Sequence, residues 1–205
     1  MLAAQEGAAL PMEIDEAVKK TGFPMGPLAL NDMVGIDIGG HTFPIMYEAY
    51  GERFPVPVLF ERLLKAGRLG MKSGKGIYVN GKVDDEFVEI VRKIQNETGI
   101  RNNEFSADRL ILRQVNEAVY CLQEKIATAE DIDRAMVLGT GFPSNEKGVG
   151  GPLHRTDEKG LDWVLDRLNH FKNTLGPRFW PHFLLRQFVA AGYLGKKTKR
   201  GFFEY

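Results

Sequence analysis

Gly70-Met71-Lys72-Ser73-Gly74-Lys75-Gly76 is the stretch of this chain that looks most like a phosphate-binding loop. Such a loop cradles phosphate oxygens with backbone N–H groups, and it needs four residues between its first glycine and Gly-Lys-Ser/Thr. That spacing fails here. Gly195-Lys196-Lys197-Thr198 also fails, because Ala190 stands where the first glycine belongs. Gly139-Thr140-Gly141 opens like a dinucleotide fingerprint. However, Ser144 replaces the third glycine, Pro143 disrupts the turn, and residues 132–138 read as helix. Glycines that end helices are the favoured explanation of all three.

The other reactive side chains are scattered. His41, His154, His170 and His182 do not pair at metal-ligand spacing, and Cys121 has no second thiol to help it hold zinc. Cys121 stands next to Leu122 on an apolar stripe, which favours a buried inert thiol over a nucleophile. No Gly-x-Ser-x-Gly elbow is present. Asp15 and Asp133 precede short helices; as acids they are candidate catalysts, and as first-turn carboxylates they would complement a helix dipole. The second reading is favoured. The basic run Lys196, Lys197, Lys199 and Arg200 fits either an anionic ligand or a solvated tail, and the tail is favoured.

The chain that must position these groups has 205 residues, 27 basic and 27 acidic side chains, and 23 glycines. A zero net charge argues against nucleic-acid or membrane-surface partners, which call for excess Lys and Arg. One cysteine excludes an intrachain disulfide and fits a reducing compartment, so a cytoplasmic protein is expected. No apolar run is long enough to span a membrane, and the first ten residues lack the basic start of a signal peptide. Glycine is in excess of the usual 7% or so.

The excess arises because the sequence repeats. Residues 12–17 resemble 130–135, with Ile14-Asp15 on Ile132-Asp133. Thr21-Gly22-Phe23-Pro24 falls on Thr140-Gly141-Phe142-Pro143, and Gly26-Pro27-Leu28 on Gly151-Pro152-Leu153 after a short insertion. The match continues through Arg53-Phe54 with Arg178-Phe179, and Leu69-Gly70 with Leu194-Gly195. It closes with Lys72, Gly76 and Tyr78 on Lys197, Gly201 and Phe203. Two copies of one unit account for this order. Residues 106–125 form a long amphipathic stretch at the head of the second copy, and the first copy keeps only its last turn.

Each copy reads as helical. The expected domains are 1–83, a connecting helix and linker over 84–103, and 104–205. Ser106 is placed as an N-cap, with Leu110, Leu112, Val115, Val119 and Leu122 as the apolar stripe after it. Thr128 with Asp131 resembles a capping box, and Gly139 is expected to end that helix. Pro27 and Pro152 sit at first helical positions. Pro57 opens a helix that Gly67 closes. Residues 77–79 and 202–203 allow only strand fragments, and residues 98–104 make the linker.

Residues 22–28 and 32–37 closely resemble the C-terminal domain of 3-hydroxyacyl-CoA dehydrogenases. Leu69-Gly70-Met71-Lys72-Ser73-Gly74-Lys75-Gly76-Ile77-Tyr78 resembles that domain's closing motif. The second copy resembles the second such domain of large multifunctional fatty-acid oxidation enzymes, through Phe105, Arg109, 116–118, 132–133, 141–143 and 151–152. The resemblance covers nearly everything but residues 84–103.

The resemblance implies an all-α fold of two tandem domains packed as a pseudo-dimer. It also implies NAD-dependent oxidation of an L-3-hydroxyacyl-CoA to the 3-ketoacyl-CoA. In that family a histidine paired with a glutamate is the general base, and both belong to a Rossmann domain that these residues do not include. No catalytic residue is therefore assigned, and NAD is expected in the complete enzyme but not on this chain; no metal is expected. The family's Phe-x-x-Asn-Arg stretch reads Phe105-Ser106-Ala107-Asp108-Arg109, with Asp108 in place of the asparagine, so the second copy is not expected to be a working site. The implied partners are acyl-CoA, a Rossmann domain in cis or trans, and a second copy or pseudo-dimer mate. Phe23, Met25, Gly26, Pro27 and Asp32 are expected to border the acyl pocket. The basic run is the candidate contact for a coenzyme A phosphate. The alternatives are a non-catalytic helical module for oligomerisation and a stand-alone acyl-CoA binder.

Overall fold

The computed structural model describes residues 1–102, 104–145 and 148–205. Asn103 of the expected linker, and Glu146 and Lys147 of the insertion, lie outside that set. The chain divides into two compact units, Met1–Ala107 and Asp108–Tyr205.

The first unit runs α1 (Leu2–Gln5), α2 (Pro11–Lys19), α3 (Pro27–Val34), α4 (Ile36–Tyr50), α5 (Val58–Lys65), a hairpin of β1 (Tyr78–Val79) and β2 (Lys82–Val83), and α6 (Asp85–Thr98). Pro27 opens α3, where its missing N–H removes nothing. Gly35, at φ 114°, lets α4 start without a linker. The fragment expected at 77–79 is half of a hairpin, because Asn80 and Gly81 both take positive φ, at 51° and 75°. That is the turn that matches the twist of two paired strands.

Helix α6 is more than a connector. Asp84 Oδ1 accepts from the Glu86 and Phe87 amides at 3.0 and 3.3 Å, Gly99 closes the helix at φ 66°, and Phe87 and Ile94 are buried. It packs on α5 and α1, so it belongs to the first unit. Ile14, Leu28, Ile36, Leu59, Phe60 and Leu63 complete that core.

The second unit runs α7 (Asp108–Gln123), α8 (Ala129–Thr140), α9 (Pro152–Lys159), α10 (Leu161–Leu175) and α11 (Phe183–Ala190). Helices α8 to α11 repeat α2 to α5 in order, and the all-α fold is as the sequence implied. Four local expectations need correction. Helix α7 begins at Asp108, and the buried Ser106 Oγ has no hydrogen-bond partner, so Ser106 is not its cap. Gly139 stays helical, and Gly141 at φ 67° is the left-handed stop. Phe202 and Phe203 lie in a bend rather than a strand. Cys121 is half-buried rather than buried. Thr128 does cap α8, accepting from the Asp131 amide at 3.2 Å, but its hydroxyl donates to the Asp131 carboxylate instead of leaving it to reach back to the backbone.

Candidate functional site

The repeated aspartates are structural anchors. Asp15 does not serve the first turn of its own helix. Its two oxygens accept the Leu28 and Ala29 amides at 2.7 and 2.9 Å, so it caps α3 from outside. Those amides have no partner within the helix, and the positive end of the helix dipole favours the carboxylate. The Tyr78 hydroxyl donates to the same carboxylate at 2.8 Å. Gly26 permits this approach, since a Cβ there would lie 2.5 Å from Asp15 Oδ1.

Asp32 holds the closing loop. It is buried on α3, and its oxygens accept the Ile77 and Tyr78 amides at 2.9 and 2.8 Å. Burial pushes its carboxyl above the usual carboxylate range, against the pull of those two bonds. Arg68, also buried, donates through Nε and a terminal nitrogen to the Gly76 carbonyl and pairs with Asp84 and Glu86 at 2.7 and 2.6 Å. It thereby ties the loop to the start of α6.

Above these anchors is a cleft of about 640 Å³ between α2, the start of α3 and the hairpin. Met12, Met25, Ala29 and Met71 line it, with Asp15 and Tyr78 also exposed to it. Lys19 and Glu16, one turn apart on α2, pair at 2.7 Å along one side of its rim. Burial, and then the hydrogen bond to Asp15, raise the Tyr78 hydroxyl far above its ordinary pKa, so it is a neutral donor at any ordinary pH. The site is a mostly apolar slot with a carboxylate–phenol pair at one wall.

The expected pocket residues divide. Met25, Gly26 and Asp32 line the cleft, but both Asp32 oxygens are occupied by backbone. Pro27 opens α3 behind it, and Phe23 is half-buried outside the cleft lining. Tyr78, Met12, Ala29 and Met71 were not singled out in the sequence. For Tyr78 the available signal was its match to Phe203 at the end of the closing motif.

The second unit keeps the anchors and changes the slot. Asp133 accepts the Leu153 and His154 amides at 2.8 Å each, and Asp157 accepts the Phe202 and Phe203 amides at 2.9 Å each. Burial pushes both carboxyls upward. The place of Ala29 is taken by His154, whose Nδ1 lies 2.7 Å from Asp133 Oδ2 and whose ring stacks on Phe203 at 3.7 Å. The imidazole thus occupies what is open space beside Asp15. Phe203 stands at the Tyr78 position and has no hydroxyl for Asp133, while Tyr205 donates to Asp157, the counterpart of Asp32, at 3.0 Å.

The loop that resembles a phosphate cradle is closed on itself. The amides of Gly70, Ser73, Gly74 and Gly76 donate to the carbonyls of Lys75, Gly70, Met71 and Tyr78. Ser73 Oγ bonds within the loop, and Lys72 pairs with Asp37. Four of that loop's amides are thus taken up inside it, and Gly139-Thr140-Gly141 ends a helix rather than opening one. Three side chains of the basic run, Lys196, Lys197 and Arg200, also meet partners within the unit. Lys196 meets Glu158 at 2.7 Å, Lys197 meets Asp162 at 2.6 Å, and Arg200 lies 4.0 Å over the Tyr193 ring. Among the described residues no helix is long and apolar enough to cross a membrane, and no three His, Cys, Asp or Glu side chains cluster as metal ligands.

The family profile described as 3-hydroxyacyl-CoA dehydrogenase, C-terminal domain, matches residues 1–80 and 105–205. The chain is 38% identical over 194 residues to the fatty acid oxidation complex subunit alpha of Shewanella amazonensis, covering 91% of this chain and 27% of that protein. It is 38% identical over 176 residues to the subunit of the same description from Vibrio parahaemolyticus, covering 83% and 24%. It thus spans about a quarter of the length of these relatives. Its fold matches the crystal structure of 3-hydroxybutyryl-CoA dehydrogenase from Escherichia coli K12 with a TM-score of 0.75 at 23% identity, over 94% of this chain and 57% of that one. It also matches the dehydrogenase part of multifunctional enzyme 1 from C. elegans, with a TM-score of 0.60 at 23% identity, over 90% and 43%.

Proposed function

The chain belongs to the 3-hydroxyacyl-CoA dehydrogenase C-terminal-domain family, and on that premise we propose that it is the substrate-closing and assembly part of an NAD-dependent L-3-hydroxyacyl-CoA dehydrogenase of fatty-acid oxidation. The match of both halves of the chain to one family domain carries this reading. The reaction oxidises the 3-hydroxyl of an acyl-CoA to a ketone. The general base and the dinucleotide site are assigned to a separate NAD-binding domain, because the carboxylates of Asp15, Asp32, Asp133 and Asp157 already accept backbone amides that hold helix starts and loops.

In this reading the first unit provides an apolar wall for the acyl chain, through Met12, Met25 and Met71, and excludes water from it. The methionines suit an acyl chain because their unbranched side chains adapt to apolar shapes. The second unit, with His154 across the equivalent place, serves assembly rather than binding.

The test is reduction of NAD with 3-hydroxybutyryl-CoA. The chain alone is expected to give no turnover, and turnover is expected when it is joined to the NAD-binding domain of a relative. Turnover by the chain alone would refute the division of labour. No turnover from the joined protein, with no acyl-CoA binding by calorimetry, would leave the helical-module reading in its place.

A further inference from the structure

The charge around the cleft of the first unit is one-sided. Among the described residues its lining carries three carboxylates, Asp15, Glu16 and Asp32, and one ammonium, Lys19. Lys19 Nζ donates to Glu16 Oε1 at 2.7 Å, so that cation is already paired. The ammonium in turn holds the Glu16 carboxyl below the usual carboxylate range, which leaves it charged at neutral pH. The donors deeper in the slot are committed too. The Leu28 and Ala29 amides and the Tyr78 hydroxyl serve Asp15, and the Ile77 and Tyr78 amides serve Asp32. Asn80, on the hairpin turn, adds a neutral carboxamide, which can meet a hydroxyl as well as a carboxylate.

We propose that this cleft takes acyl chains that end in an uncharged group and turns away chains that end in a carboxylate, with Glu16 setting the preference by holding Lys19. A terminal carboxylate that enters the slot loses its water and meets Asp15 and Asp32, while the cation at the rim is held by Glu16. Burying a charge without a partner is costly, and a site rejects a close analogue by setting like charges against it. A methyl end meets Met12, Met25 and Met71 at no such cost. This inference rests on the cleft being the acyl site, and it adds the class of acyl group, monocarboxylic rather than dicarboxylic.

The repeat separates Glu16 from the residues that hold the fold. Asp15 and Asp32 recur as Asp133 and Asp157, which accept the matching amides. Glu16 and Lys19 do not recur, since Arg134 and Val137 stand at their places in the second unit. The side chains of Glu16 and Lys19 are 54% and 44% exposed, so either can be changed without opening the core.

The experiment is calorimetry on the full chain with hexanoyl-CoA and adipoyl-CoA, which share the coenzyme and the chain length and differ only at the far end of the chain. Adipoyl-CoA is expected to bind about tenfold or more weaker, as like charges brought together at a binding surface require. Glu16→Gln, which frees Lys19, is expected to narrow that gap to about threefold or less, a change of the size that one rim ion pair supplies. Glu16→Gln combined with Lys19→Gln is expected to reopen it. A gap below about threefold in the parent chain overturns the proposal. So does a gap that Glu16→Gln leaves unchanged, or one that stays narrow after Lys19 is removed as well. Absence of hexanoyl-CoA binding to the parent is a distinct result, which refutes the acyl-site reading itself and this proposal with it.

Discussion

Gly76→Ala is expected to destabilise the first unit by more than an ordinary glycine substitution, and the reason is space rather than backbone angle. Gly76 does not take a left-handed φ, so alanine is conformationally acceptable there. A Cβ at that position, however, would stand 2.6 Å from both Cγ and Oδ2 of Asp32, where real Cβ contacts stay beyond 3.0 Å. The loop or the carboxylate must retreat by several tenths of an ångström. That weakens the bonds from the Ile77 and Tyr78 amides, at 2.9 and 2.8 Å, together.

Hydrogen bonds to a charged partner contribute about 1.5–3 kcal/mol each. Losing most of the two, about 2.5–5 kcal/mol together, offset by about 0.5–1 kcal/mol from the stiffer unfolded chain, leaves an expected net loss of about 2–4 kcal/mol. Gly67→Ala is the control. Nothing lies within 4 Å of its Cβ, but φ is 66°, so only the left-handed penalty of about 1 kcal/mol applies. Urea unfolding followed by far-ultraviolet circular dichroism measures both. Both tryptophans, Trp163 and Trp180, belong to the second unit, so their fluorescence reports that unit separately. Gly201→Ala, whose Cβ would stand 2.6 Å from Asp157 Cγ, is expected to move the fluorescence transition in turn. A double-mutant cycle with Asp32→Ala completes the argument, since the clash disappears with the carboxylate. A Gly76→Ala protein within 0.5 kcal/mol or so of the parent, or one that loses as much in the Asp32→Ala background, refutes the reasoning.

Ala29→His copies the second unit's His154 into the cleft and is expected to weaken acyl-CoA binding by about tenfold, or about 1.4 kcal/mol; unchanged affinity by calorimetry means that the cleft is not the acyl site. Burial and the neighbouring carboxylates raise the Tyr78 and Tyr205 hydroxyls above the ordinary value of 10.0, so the folded state resists their ionisation. Their contribution to stability is complete below about pH 10 and is lost as the pH rises beyond it. Tyr78→Phe is expected to flatten the fall of the urea midpoint between about pH 10 and 12, and an unchanged slope would show that this hydroxyl is not held by Asp15.

Much of this was open to sequence reading because the unit is written twice. A repeat turns one observation into two: a residue kept in both copies, such as Asp15 with Asp133 or Gly76 with Gly201, must satisfy a local requirement common to both. The helices were legible from their apolar spacing and from Pro27 and Pro152, whose effect is local. Ser106 misled because a residue that favours an N-cap does so by probability, and the helix opened at Asp108 instead. The Asn80-Gly81 hairpin was missed although both residues are the usual partners for its turn.

Sequence alone determined the family, the tandem arrangement and the helical character, since these rest on the order of residues and on short-range preferences. Tertiary structure alone decided what the motifs do. Asp15 caps α3 rather than its own helix, and Ser73 and its neighbouring amides close a loop rather than hold a phosphate. It also decided that Ala29 leaves a cleft where His154 closes one. Hydrogen-bond partners far apart in the chain and the space beside a missing side chain depend on how helices are packed, and spacing along one strand of sequence does not contain that distance.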